Sequence, residues 1–124
     1  MIHLDTCALI RALVPDTPED RKVRAWLRAG ERLVMSVVAW TEFLAGPVTE
    51  PQGALAARVI VAREPFTEED ARRAARLFDA TGRQRGSLLD CMIAATAIRC
   101  EAPLSTANRA DFTRFTDHGL ALAE

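Results

Sequence analysis

Cysteine, histidine, lysine and net charge are all scarce in this chain, and each scarcity removes a class of function. The three cysteines, Cys7, Cys91 and Cys100, are odd in number and lack CxxC or Cys/His spacing, so neither a disulfide framework nor a zinc site is expected. A reducing cytoplasm suits them, and Cys7 and Cys91 read as small core residues. The two histidines form no Ser/His/Asp or Cys/His order: His3, inside a strand, reads as a satisfied or edge histidine, and His118 lies in a turn. A formal net charge of −1 provides no global field for a polyanion, so any nucleic-acid contact has to come from local patches. No apolar run approaches the ~20 residues that span a bilayer. No basic leader precedes an apolar stretch, so a soluble cytoplasmic protein without a membrane partner is expected. Lysine is confined to Lys22; the other 15 of the 16 basic residues are arginine, a bias that a GC-rich genome produces and that also suits bidentate phosphate contacts.

At 124 residues the chain is long enough for one sizeable core and too short for two, so a single domain over residues 1–124 is expected. Half of it is hydrophobic and a quarter charged, as in ordinary globular proteins. Against that background three carboxylates stand out, because each is embedded in an apolar segment: Asp5 in MIHLDTCALI, Glu42 in SVVAWTEFLAG and Asp90 in SLLDCMIAATA. A buried charge without a partner is costly, so three of them imply a shared cation or a water-filled cleft. Mg²⁺ or Mn²⁺ takes oxygen ligands from several carboxylates and from water, and needs no histidine or cysteine.

Each acid also has a plainer explanation. Asp90 follows Ser87 by three residues and could complete a capping box. Asp5 could cap the helix that follows it, and Glu42 could pair with Arg11 or Arg99 across a helix interface. A metal site replaces three separate explanations with one.

The apolar periodicity sets the frame in which these acids sit. Ile2 to Asp5 reads as a buried strand passing directly into a helix over the apolar run Ala8 to Val14, which puts Asp5 and Thr6 at the carboxyl edge of a sheet, where open parallel sheets bind ligands. Thr17 and Pro18 start a helix that Gly30 closes. Arg32 to Val37 predicts a second strand and Val38 to Ala45 a helix, stopped by Gly46 and Pro47. A helix over about Pro51 to Val61 follows, after which Glu64, Pro65 and Phe66 permit only a short edge strand. Thr67, with acids behind it, starts a helix that ends at Gly82. GRQRG, residues 82–86, reads as a flexible basic loop whose Arg83 and Arg85 form the best local phosphate clamp, or else a solvated charged loop. Ser87 caps a helix to about Cys100 that is apolar nearly all round and so belongs at the centre. Pro103 to Thr106 predicts a third strand, Asn108 to Phe112 a helical turn and Leu120 to Leu122 a last short strand. Strands alternating with helices predict an α/β sandwich with a mainly parallel sheet.

Four segments in order, IHLDTCALI, WTEFLAG, GRQRGSLLDCMIAATA and LSTANRADF, resemble the PIN-domain ribonucleases over essentially the whole chain, and most closely their VapC-type toxin branch. The resemblance implies a three-layer α/β fold, a Mg²⁺ or Mn²⁺ site and endonucleolytic cleavage of RNA. It also implies a cognate antitoxin protein that occludes the acidic cleft, and a homodimer. By motif correspondence Asp5, Glu42 and Asp90 take the metal-binding positions, with Thr6 and Thr106 as supporting hydroxyls. The fourth motif departs from the version with an acid at the second residue after the threonine: Asn108 stands there and the next acid is Asp111, so either could be the fourth site residue, with Asp111 the stronger cation ligand. Glu42 or Asp90 could also orient the attacking water. Other classes fit less well. Haloacid-dehalogenase-type phosphatases want a second aspartate where Cys7 stands, and receiver domains want a late lysine where this chain has none. A catalytically silent PIN-like domain that only binds RNA or protein is the remaining alternative.

Overall fold

The computed structural model describes residues 1–124, and its centre is a four-stranded sheet in the order β3-β2-β1-β4. The elements are β1 (Ile2–Leu4), α1 (Thr6–Ala12), α2 (Pro18–Arg28), β2 (Leu33–Ser36), α3 (Val37–Ala45) and α4 (Glu50–Val59), then β3 (Ala62–Glu64), α5 (Glu68–Ala80), α6 (Leu88–Arg99), β4 (Leu104–Ser105) and α7 (Arg109–Thr113). All three strand pairings are parallel: Ile2 pairs with Leu33, His3 with Leu104 and Val34 with Ala62. A parallel pair needs a crossover, so every strand is followed by helix, and the α/β sandwich read from the sequence is the fold.

Local chemistry sets most element boundaries. Thr17 accepts the Asp20 amide and Pro18 occupies the first turn of α2. Thr49 and Gln52 form a capping box on α4, and Thr67 and Asp70 form one on α5. Gly30 and Gly82 take positive φ behind their helices, the left-handed conformation that favours glycine. β3 stops at Glu64, because Pro65 has no amide to offer the ladder.

Three expectations are corrected. The predicted last strand, Leu120 to Leu122, shrinks to a single bridge between Leu104 and Leu122, since β4 itself is only two residues long. Ser87 does not cap α6: its backbone is already helical, and its hydroxyl donates to the Gln84 carbonyl within the 82–86 loop. His3 is neither satisfied nor at an edge. It lies in a central strand, 1% exposed, and its Nε2 has no partner.

The core runs from β1 and β2 to α6, whose Cys91, Ile93, Ala94, Ala95, Thr96 and Ala97 are all buried. Small residues there let α5 and α6 approach closely, and a polar knot closes their contact. Fully buried Asp70 receives Arg99 Nε at 2.8 Å, Thr96 Oγ1 at 3.0 Å and the Thr67 amide at 3.2 Å. Arg99 also donates to the Pro65 carbonyl at 3.0 Å. Burial pushes the Asp70 carboxyl up, and the hydrogen bonds from Arg99, Thr67 and Thr96 outweigh it, so the group ionises below its ordinary range.

A candidate acid-lined metal centre

Where β1 ends, Asp5 turns the chain into α1 and caps it, accepting the Ala8 amide at 2.7 Å. Asp5 is 3% exposed. The next residue, Thr6, places its hydroxyl 3.1 Å from the Ala39 carbonyl and 3.0 Å from Glu42 Oε1. Its single proton serves one acceptor at a time, so α1 and α3 are tied together beside the Glu42 carboxylate. Ser36 caps α3, taking the Ala39 amide at 3.1 Å, which fixes the turn of helix that carries Glu42.

Asp90 enters from the first turn of α6 and Asp111 from α7. Asp5, Glu42, Asp90 and Asp111 line one cleft of about 130 Å³ together with Thr6, Cys7, Ile93, Asn108 and Phe112. Thr106 stands behind it, accepting the Asn108 amide at 2.9 Å. Asn108 also donates to Cys7 Sγ at 3.1 Å, so one end of its amide is already engaged, whereas Asp111 is free.

The plainer explanations now separate. Asp5 does cap its helix, but Asp90 has no capping partner. Arg11 pairs with Glu19 and Arg99 with Asp70, leaving Glu42 without either. None of the four cleft acids takes part in an ion pair. The electrostatic result is strain. Burial holds the Asp5 carboxyl above its ordinary range, with the charges of Glu42 and Asp111 adding to the rise and the Thr106 hydroxyl and Ala8 amide opposing it. Asp90 is pushed up to about 6, first by burial and then by Asp111 and Glu42. Burial, then Asp5, likewise raises the Cys7 thiol.

A PIN-domain family model matches residues 2–117. The chain belongs to the PIN-domain family. Solved structures agree on the fold of this PIN domain. FitAcB from Neisseria gonorrhoeae is 23% identical, with 100% of this chain and 97% of that one covered at a TM-score of 0.73. VapBC2 from Rickettsia felis, bound to a DNA fragment from its promoter, is 19% identical over 99% and 98% at 0.76. VapBC-1 from nontypeable Haemophilus influenzae is 24% identical over 100% and 98% at 0.69. No curated protein matches the sequence.

The donor set of this PIN domain is all oxygen apart from Cys7, which suits a hard divalent cation. No three of its acids or cysteines stand around one point in ligating geometry. An ion here would therefore be held by one or two carboxylates with water completing the shell, the usual manner of Mg²⁺. On those terms the residues fit.

Two features escaped the sequence. Cys7 is a wall of the cleft rather than a core residue, a consequence of its position two residues after Asp5 on the first turn of α1. Arg83 and Arg85 do not line the cleft: Arg83 is paired with Asp79 and lies 4.9 Å over the Phe78 ring, and Arg85 is exposed. The cation that bears on Asp90 is Arg114, whose positive charge offsets part of the rise. Its Nε donates to the Asp111 carbonyl at 2.9 Å, its Nη1 to Gln84, and its guanidinium lies 5.3 Å from the Phe115 ring. Lying 24 residues from Asp90, Arg114 carries no local signal that would have singled it out.

Proposed function

We propose that this PIN domain, as a single domain over residues 1–124, is a metal-dependent endoribonuclease and the toxin of a toxin–antitoxin pair. The observation that carries the reading is the cleft itself: four carboxylates from four separate segments, none paired with a protein cation, two held above their ordinary ionisation range. Such an arrangement is unfavourable unless a cation enters from outside. Mg²⁺ or Mn²⁺ bound there supplies charge for the scissile phosphate and acidifies a bound water.

The chain's own residues do the rest. Asp5 is held in place by its cap on α1. Glu42 is oriented by Thr6, and Asp111 crowds Asp90, so loading the site relieves a repulsion already present. Asp111 is the better fourth acid, because Asn108 is engaged with Cys7 and offers only a neutral oxygen. The partly exposed Arg114 meets a phosphate beside the cleft; Arg83 and Arg85 serve the strand further out. A toxin–antitoxin complex from Klebsiella pneumoniae, 23% identical over 90% of each chain at a TM-score of 0.74, supports an antitoxin partner for this chain, and a homodimer belongs to the same reading.

A silent domain that binds RNA or protein draws on the spread of the acids, no three of which converge on a point. Asp5→Asn and Asp90→Asn separate the readings. Asparagine still caps α1, so both variants should fold, while Mg²⁺- or Mn²⁺-dependent cleavage of single-stranded RNA falls by roughly 100-fold or more, the loss usual for an electrostatic group at a reacting phosphate. Full cleavage by both variants would sink the acid-cleft metal site, and none by the parent chain at any metal concentration would sink the nuclease reading.

A further inference from the structure

Besides His3, one side chain holds a buried polar atom without a partner, Arg73 on α5. Its Nη1 is shielded from solvent and has no partner, and its Nη2 stands 3.9 Å from Glu69, beyond hydrogen-bond reach. Arg73 forms one wall of a depression of about 230 Å³, closed by Arg76, Leu77, Ala80 and His118. Arg76 makes no ion pair, and no carboxylate lines the depression. Glu101 lines the adjoining hollow on the far side of Arg73, and Asp117 precedes His118 on the exposed 116–118 turn. Two guanidinium groups and an imidazole around a space that no carboxylate lines, with Glu69 only at 3.9 Å from Arg73 Nη2, are suited to a phosphate, whose oxygens accept several donors at once.

The place of this depression relative to the acids gives it a use. Residues 109–118 run from the cleft to it: Asp111 lines the cleft, Arg114 bears on Asp90, and His118 lines the depression. On the facing side, Gln84 receives Arg114 and the Arg83 amide donates to Phe78, two residues before Ala80. Arg114, His118, Arg76 and Arg73 therefore stand on the two segments that connect one site to the other along the chain. We infer that the Arg73–Arg76–His118 depression is a phosphate site for the RNA strand leaving the acid cleft. The inference rests on the nuclease reading for the identity of the strand.

Binding separates the two. The full chain carrying Asp90→Asn is titrated in EDTA with single-stranded RNAs of increasing length, following anisotropy across a range of salt. Affinity should rise once the strand is long enough to reach from Asp90 to Arg76. In Arg73→Gln/Arg76→Gln that rise should vanish, and the slope of log K against log salt should become shallower by roughly 1.4, about 0.7 for each single-strand phosphate no longer neutralised. Arg76→Gln alone, at an exposed position, should lose about half as much slope and covers the case in which the double variant fails to fold. Arg28→Gln/Arg58→Gln removes the same charge from exposed positions on α2 and α4 and should leave the length-dependent rise in place. An unchanged slope in the Arg76→Gln chain would overturn the inference. So would saturation by inorganic phosphate alone with RNA binding unaffected, which would mark a site for free phosphate. Because no cleavage is required, these outcomes stand apart from any failure of the nuclease reading.

Discussion

Asp70 and Asp90 are both aspartates in the first turns of neighbouring packed helices, and the protein treats them in opposite ways. Asp70 is fully buried, yet it is surrounded by donors from Arg99, Thr96 and Thr67 and ionises more readily than a free aspartate. Asp90 is less buried, receives no donor, faces Asp111 and Glu42, and holds its proton up to about pH 6. Depth of burial therefore does not distinguish an acid that builds the fold from one that does something else; the partners do.

Breaking the paired acid should have the largest effect. Asp70→Ala leaves Arg99 partly buried without a counter-charge, which costs about 3 kcal/mol. Thermal melting of the metal-free chain should then fall by roughly 10 °C, and a loss of only a degree or two would mean that Arg99 finds another partner. Next comes His3, close to the same knot. Burial, then the charge of Arg99, lowers its folded pKa to about 4, below the unfolded value of about 6.5. A depressed histidine contributes stability above the unfolded pKa that is lost as pH falls through the folded one. The protein should weaken between pH 6.5 and 4, and His3→Leu should narrow the gap in unfolding free energy between pH 7 and 4.5 by about 2 kcal/mol. An unchanged gap in denaturant titrations would assign the acid limb to other groups.

Asp90 has the reverse sign. Its folded pKa lies above the unfolded one, so its favourable contribution is complete below about pH 3.8 and is lost as pH rises to about 6. At pH 7 without metal, Asp90→Asn should therefore be more stable than the parent by about 1 kcal/mol after solvent screening, a rise of about 4 °C. A lower melting temperature would show Asp90 to be a structural acid after all. The smallest effect sharpens the same contrast among cations. Arg83 is paired with Asp79, whereas Arg114 has no carboxylate partner, so Arg114→Ala should reduce the salt slope of RNA binding by about 0.7 and Arg83→Ala by less. Equal slopes for the two would remove the distinction.

The strand–helix alternation, the caps at Thr17 and Thr67 and the central place of α6 were legible because they depend on residues within a turn or two of each other. The three embedded acids were legible for a related reason, since each contradicts its own apolar neighbourhood. What could not be read depends on residues far apart. Asp70 resembles any acid at a helix start until Arg99, 29 positions on, comes to rest against it. Ser87 has the spacing of a capping box with Asp90, but the 82–86 loop holds its hydroxyl on Gln84 instead. Arg83 and Arg85 lie near Asp90 in sequence but do not line its cleft, while Arg114, distant in sequence, bears on its charge.

The order of the strands also has a consequence in time. β4 is the last strand of the chain and pairs with β1, the first, so His3 meets Leu104 across nearly the whole sequence. Asp5, Glu42 and Asp90 are all made before Asp111 and the wall that α7 provides. Contacts of such long range form late in folding, and a nascent chain that has not yet reached β4 lacks them altogether. A nascent copy therefore cannot assemble the four-acid cleft until Asp111 and α7 have been made.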